Sequence, residues 1–186
     1  MQTKESLRQL MRQKLQAQSP GDRKKKSLII EEKLFSLDAF KKASVVCFYV
    51  SLPAEVDTAQ MIDRALEAGK RVLVPRVNRE AQEPPLQLYE IKDRQKDLEK
   101  GAFGIMEPLP SRTRLADAQE IGCVIAPGVA FDRANHRLGR GKGFYDRFLA
   151  GIGPGVAKIG VAFSFQIVDE VPRVGHDVRL DLVITD

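Results

Sequence analysis

Apolar residues recur at helical spacing near the start of the chain and in short strand-like runs beyond residue 43. From Thr3 to Gln18, Leu7, Leu10, Met11 and Leu15 form one stripe, while Lys4, Arg8 and Arg12 fall one turn apart along another face. This pattern predicts an amphipathic helix with a basic edge. Ser19-Pro20-Gly21-Asp22 then supplies an N-cap, a proline suited to the first turn and an acid three residues after the cap. A second helix should follow, with Leu28, Ile29, Leu34 and Phe35 on its apolar positions and the basic run Arg23 to Lys26 as a solvated face. Beyond residue 43, the runs Val45 to Val50, Val72 to Val74, Val124 to Ala126, Ile159 to Phe163 and Leu182 to Thr185 read as strands alternating with helices or loops. Thr58 to Ala68 reads as a helix with Met61, Ile62, Ala65 and Leu66 inward and Gly69 as its stop. Leu86 to Ile91 is a further strand, and the stretch after it to Asp117 reads as turn-rich. Alternation of this kind predicts an α/β fold with a single open, mostly parallel sheet flanked by helices in a Rossmann-like three-layer arrangement. Residues 1–186 are expected to form one domain, with residues 1–42 as an N-terminal helical segment packed on the α/β core.

The 186 residues are enough for one sizeable core, and 43% hydrophobic with 30% charged residues is too apolar and too mixed for a disordered chain. The longest apolar run, Val45 to Val50, is far short of the roughly 20 residues of a membrane-spanning helix. The first twenty residues interleave charges with leucines and lack the apolar stretch of a secretory signal, so the expected location is the cytoplasm. Cys47 and Cys123 each sit inside an apolar run with no Cys or His at ligand spacing, which reads as two buried thiols.

Thirty Lys and Arg against 25 Asp and Glu give a net charge of +5, which favours anionic partners: nucleic acid, nucleotides or small polyanions. Placement narrows the choice. Arg133, Arg137, Arg140, Lys142 and Arg147 crowd into one stretch that also holds Gly139, Gly141 and Gly143. This stretch follows the strand-like Pro127-Gly128-Val129-Ala130-Phe131-Asp132 and runs into the helix-like Phe144 to Leu149. In open α/β sheets, ligands bind at such strand ends. Glycines at these positions can adopt positive φ and bring backbone N–H groups close to phosphate, while Arg140 and Lys142 neutralise its charge. The order matches neither a Walker A loop, which needs Ser or Thr where Gly143 stands, nor the dinucleotide fingerprint. On these residues alone a basic surface turn or a nucleic-acid contact stays open beside phosphate binding. A nucleic-acid module would draw on the loop and the Arg23 to Lys26 run, but only 6% of residues are aromatic and none interleaves with that run.

The segment Arg137 to Leu149, with Pro127 to Asp132 before it, closely resembles the signature of the 5-formyltetrahydrofolate cyclo-ligase family, and the resemblance runs along nearly the whole chain. It takes in Lys4 to Arg8, Tyr49 to Thr58 with Glu55-Val56-Asp57-Thr58, Leu73-Val74-Pro75-Arg76, Gly104-Ile105-Met106-Glu107-Pro108, Gln166, and His176-Asp177 to Asp186. Asn135 departs from the family's usual glycine, and Asn tolerates left-handed backbone angles. Phe144 stands where many members have Tyr, which keeps an aromatic wall and removes a hydroxyl.

The resemblance implies conversion of 5-formyltetrahydrofolate, possible glutamate tail included, to 5,10-methenyltetrahydrofolate, with ATP as co-substrate and Mg²⁺ required. It implies an ATP site of Lys4, Arg8, Arg137, Gly139, Arg140, Gly141, Lys142, Gly143 and Tyr145, with Arg140 and Lys142 catalytic. Lys4 and Arg8 by themselves would read as solvated charge. Asp146 and Asp177 match Mg²⁺-associated carboxylates, Asp181 is a weaker candidate, and His176 reads as structural. Val50, Glu55, Phe103 and the loop from Arg140 through Gly141, Lys142 and Gly143 to Phe144 match the folate side. A monomer with no nucleic-acid or membrane partner is expected. The nucleic-acid module is the first alternative, and a different ATP-dependent small-molecule ligase on the same scaffold is the second.

Overall fold

A computed structural model describes residues 3–77, 86–101, 105–175 and 177–186, so Phe103 and His176 lie outside the described residues. The chain begins with α1 (Lys4–Ala17), α2 (Pro20–Ser36) and α3 (Asp38–Lys42), then β1 (Val45–Cys47), α4 (Ala59–Glu67), β2 (Arg71–Val77) and β3 (Leu86–Ile91). The predicted cap of α2 holds, with Ser19 accepting from the Asp22 amide and Pro20 in the first turn, and α1 is capped as well, Thr3 accepting from the Ser6 amide. The stretch expected to be turn-rich contains α5 (Arg94–Asp97) and three short strands, β4 (Leu98–Lys100), β5 (Met106–Pro108) and β6 (Arg114–Ala116). Three-residue strands carry too little periodicity to be seen in sequence. The rest comprises β7 (Cys123–Ala126), β8 (Ala130–Asp132), β9 (Arg137–Leu138), α6 (Phe144–Ala150), β10 (Ala157–Ala162), β11 (Ile167–Val168) and β12 (Leu182–Thr185).

The central sheet runs β12-β10-β7-β1-β2-β3-β6. Its first five strands are parallel, and β3 and β6 are antiparallel additions at one edge. Two small sheets join it, β11-β8-β9 and β4-β5. Successive residues of β1 alternate between two hydrophobic clusters: Val46 belongs with Met61, Ile62, Leu34 and Phe40 of the α2–α4 side, and Val45 and Cys47 with Phe148 and Leu149 of α6. Both faces are therefore apolar, which is why the central strands read as uninterrupted hydrophobic runs. A third cluster packs Leu7 and Met11 of α1 on Val129, Ala130 and Leu138, so α1 rests on the small β8-β9 sheet.

Two sequence readings change. Strand β1 ends at Cys47; the Phe48 amide still donates to the Leu73 carbonyl at 2.9 Å, and beyond it the chain enters a loop in which Thr58 Oγ1 donates to the Tyr49 carbonyl at 2.8 Å and Tyr49 Oη to that of Val56 at 3.1 Å. The buried face of α2 is Ser27, Ile30, Glu31 and Leu34, whereas Leu28 and Ile29 are exposed. The two polar residues can be buried because Ser27 accepts from the Asp57 amide at 3.0 Å and Glu31 accepts from Arg64 at 3.0 Å.

A buried carboxylate organises the β8–β9 turn. Asp132 accepts from the amides of Ala134, His136 and Val171 and from His136 Nδ1. Arg173 Nη1 lies 2.9 Å from His136 Nε2, and since a guanidinium can only donate, the two hydrogen bonds of the ring are made together by the tautomer that carries its proton on Nδ1. Burial alone would raise the Asp132 pKa, but the His136 and Val171 amides outweigh it and hold it below the usual range. A depressed carboxyl contributes stability that is complete above its unfolded value and is lost as pH falls through the folded one. Asp132→Asn should therefore cost about 1–3 kcal/mol at neutral pH, with the gap to the parent closing below about pH 4. Urea melts at pH 7 and pH 3.5 measure this.

Candidate active site

Strands β1 and β7 are neighbours from which the connections diverge, β1 leading to β2 on one side and β7 to β10 and β12 on the other. Their carboxyl ends release Tyr49-Val50 and Pro127-Gly128 into a cleft of about 900 Å³, the position in which open α/β sheets bind ligands. The wall opposite Val50 and Glu55 is the basic loop: Arg137, Gly139, Arg140, Lys142, Gly143, Phe144, Tyr145 and Asp146 all line the cleft.

Local chemistry shapes that loop. Gly141 and Gly143 have φ of +108° and +66°, which side-chain-bearing residues rarely adopt, and Gly143 caps α6. Gly139, expected to share this conformation, does not; its carbonyl instead accepts from Arg8 Nε at 3.0 Å. The α1 basic stripe therefore does reach the loop. Asn135 adopts φ 65°, the left-handed angle anticipated for the turn where the family's glycine would stand. Phe144 is a cleft wall flanked by Lys142 Nζ at 5.9 Å and the Arg147 guanidinium at 5.6 Å from its ring centroid.

Several predicted residues are brought together in pairings the sequence did not show. Arg137 is buried; Nη1 donates to the Pro127 carbonyl at 3.2 Å, Nη2 to Asp146 Oδ1 at 2.6 Å, and buried Nε has no partner among the described residues. Lys4 meets Asp177 at 2.6 Å, and the same oxygen accepts from the Val174 amide at 2.7 Å. Glu55 Oε1 accepts from Arg140 Nη2 at 2.6 Å and Nε at 3.1 Å across the cleft, while Oε2 accepts from the Leu52 amide at 2.9 Å. Asp181 accepts from the Lys158 amide and so braces β10.

The two tyrosines of the cleft are in a protonated state. Burial, reinforced by Cys47 and Glu55, pushes the Tyr145 phenol well above its ordinary value, and burial followed by Glu55 does the same to Tyr49. Neither is set up as a phenolate base at neutral pH. Both cysteines are buried, with Cys123 pushed up to about 12 by desolvation and Cys47 higher still, so they are inert thiols.

Anionic groups fit this cleft better than a pre-formed metal centre does. The orphaned Arg137 Nε and the flanking cations offer donors to phosphate. No group of three or more His, Cys, Asp or Glu gathers at metal-binding distance among the described residues. Asp146 lines the cleft but Asp177 does not, and each already faces a cation, Arg137 and Lys4. That arrangement suits a Mg²⁺ carried mostly by phosphate and water, with at most one or two protein carboxylates beside it.

Among the lining residues that the sequence did not point to as site residues, Arg12 carries a positive charge. Arg12 stands one turn beyond Arg8, is exposed, and makes no hydrogen bond or ion pair among the described residues. The signal was present in the Lys4, Arg8, Arg12 spacing, but nothing in the sequence says which end of a basic stripe faces a cleft.

Comparison with known proteins gives one consistent result. Residues 1–186 match the 5-formyltetrahydrofolate cyclo-ligase family. A Mycolicibacterium smegmatis protein named 5-formyltetrahydrofolate cyclo-ligase is 36% identical over 140 residues, covering 75% of this chain and 72% of that one. The solved 5,10-methenyltetrahydrofolate synthetase of Aquifex aeolicus superposes with a TM-score of 0.83 at 35% identity, over 97% of this chain and 88% of that one. The Mycoplasma pneumoniae 5,10-methenyltetrahydrofolate synthetase gives 0.76 at 27% identity, over 98% of each chain.

Proposed function

The chain belongs to the 5-formyltetrahydrofolate cyclo-ligase family and is a ligase, and from this we propose that it closes 5-formyltetrahydrofolate to 5,10-methenyltetrahydrofolate at the expense of ATP. One observation carries the reading: a single cleft at the β1/β7 divergence joins the basic glycine loop to the Val50–Glu55 wall. Two ligands, one polyanionic and one with an amino-pyrimidine edge, can meet there.

The chemistry explains why ATP is needed. A formyl amide oxygen is a poor leaving group. Transfer of the γ-phosphoryl to that oxygen makes it a good one, N10 of the folate attacks the activated carbon, and phosphate departs. The chain need supply no nucleophile; its task is positioning and charge stabilisation. Arg140 and Lys142 are assigned to the charge on the transferring phosphoryl group. Arg137, Tyr145 and the loop at Gly139, Gly141 and Gly143 hold the nucleotide. Arg8 fastens the loop through the Gly139 carbonyl, and Lys4 fastens Asp177. Val50, Glu55 and Phe144 take the folate, and the Phe103 assignment lies outside the described residues. Asp146, and after it Asp177, would be the carboxylates to hold a Mg²⁺ that comes with the phosphates, and the ion would supply neutralisation of phosphate charge. The proposal needs one copy of the chain, and the two buried thiols suit a reducing compartment such as the cytoplasm.

Arg12 enters the same account as an anion contact. Arg12→Gln should raise the KM of ATP or of the folate by about tenfold, the loss of one charge-assisted hydrogen bond, with kcat little changed; initial rates with each ligand varied show which one it meets. The function itself is tested by omission. Near-ultraviolet absorption of methenyltetrahydrofolate should grow only when 5-formyltetrahydrofolate, ATP and Mg²⁺ are all present. Sequence-selective DNA binding without folate turnover would instead favour a nucleic-acid module.

A further inference from the structure

Glu55 and Arg140 are 85 residues apart and are given different ligands in the reading above, yet they hold each other across the cleft. Their hydrogen bonds can be counted. An ionised carboxylate offers about four lone-pair positions, two on each oxygen. Arg140 Nε and Nη2 take both positions on Oε1, and the Leu52 amide takes one on Oε2. One position on Oε2 remains.

The amino-pyrimidine edge of a pterin presents two parallel N–H groups, and a carboxylate receives such a fork with one bond to each oxygen. Glu55 cannot offer both oxygens while Arg140 occupies Oε1. Nor can the carboxylate turn away easily, since its side chain is 11% exposed and Oε2 anchors the 52–55 turn. Arg140 is the mobile partner: its side chain is 53% exposed and it stands between two glycines of the loop.

We propose that Glu55 is a positioning residue for Arg140 as well as an acceptor for folate, and that folate, by taking Oε1, releases Arg140 to the phosphates. The inference rests on the assignment of Glu55 to folate and Arg140 to ATP, and it adds a coupling that neither assignment contains. Without folate, Arg140 is neutralised and turned toward the folate wall. With folate bound, its guanidinium is free beside Lys142. Each ligand then strengthens the binding of the other by the same factor, as linkage requires.

Equilibrium dialysis with 5-formyltetrahydrofolate and the β,γ-methylene analogue of Mg-ATP, which cannot transfer its phosphoryl group, measures this factor in the parent chain. Saturating folate should tighten the analogue by about five- to tenfold, the range for a partly exposed ion pair exchanged for a ligand contact. Glu55→Gln keeps an oxygen for the Leu52 amide but loses the charge that holds Arg140. This variant should bind the analogue more tightly than the parent when folate is absent, and folate should add nothing. Arg140→Ala, at an exposed site where misfolding is not a concern, should bind both ligands with a coupling factor near one. A factor near one in the parent, or weaker analogue binding by Glu55→Gln without folate, overturns the inference while leaving the function standing. A chain that binds neither ligand overturns both.

Discussion

Arg140→Ala and Lys142→Ala are each expected to lower kcat by about two to three orders of magnitude, the usual cost of removing a donor aimed at charge that develops in the transition state. The two cations lie on the same short loop and line the same cleft, and both residues are solvent-exposed, so neither change should disturb the fold. The loop keeps its shape through other contacts: the Arg8 bond to the Gly139 carbonyl, the left-handed Gly141 and Gly143, and the Arg147 amide bond to the Gly143 carbonyl at 3.1 Å. Melting temperatures within a degree or two of the parent, together with the loss in kcat, are the expected pair of results. Near-normal kcat and KM in both variants would return the cluster to a solvated basic turn. Arg140→Lys is informative as well, because an ammonium cannot reproduce the two-nitrogen grip on Glu55 and should retain only part of the activity.

The largest effect on stability is expected from Asp146→Asn. Asp146 is the partner of a buried guanidinium, and its loss leaves Arg137 with a largely desolvated, uncompensated charge. Asn retains an acceptor, which moderates the penalty to about 2–3 kcal/mol. In a chain of this size that corresponds to a fall in melting temperature of roughly 5–10 °C. Asp177→Asn should cost less, because Lys4 and Asp177 are both partly exposed and the Val174 amide keeps its acceptor. If either carboxylate also touches Mg²⁺ beside the phosphates, its Asn variant will need more Mg²⁺ for half-maximal rate. Titration on the same preparations separates that role from the pairing. An unchanged melting temperature for Asp146→Asn would contradict the buried-pair account.

Residues whose local chemistry dictates their backbone were legible from the sequence. The Ser19-Pro20 helix start, the central strands and the glycine loop with its helix were all visible, because caps, alternation and glycine spacing leave local marks, while the left-handed Asn135 was visible only against the glycine usual in the family it resembles. What depended on distant partners was not. Leu28 and Ile29 looked like the inner face of α2, but Ser27 and Glu31 are buried there, satisfied by Asp57 and Arg64. Arg137 with Asp146, Lys4 with Asp177, and Glu55 with Arg140 were each visible as candidates and invisible as pairs. A charge does not announce its partner at a sequence separation of up to 173. The resemblance to a known family drew attention to Lys4 and Arg8, which periodicity alone would have left in solvent; the structure bonds them to Asp177 and to the Gly139 carbonyl. The resemblance gave no reason to single out Arg12.

The central claim is that the cleft brings the γ-phosphoryl of ATP onto the formyl oxygen of folate with no side chain as carrier. The most direct measurement uses 5-formyltetrahydrofolate labelled with ¹⁸O in the formyl group, turned over with Mg-ATP in ordinary water, with the released phosphate analysed by mass. The account predicts one ¹⁸O in the phosphate for each methenyltetrahydrofolate formed. Unlabelled phosphate released in step with product would contradict it, since the formyl oxygen would then have left by a route that ATP does not join.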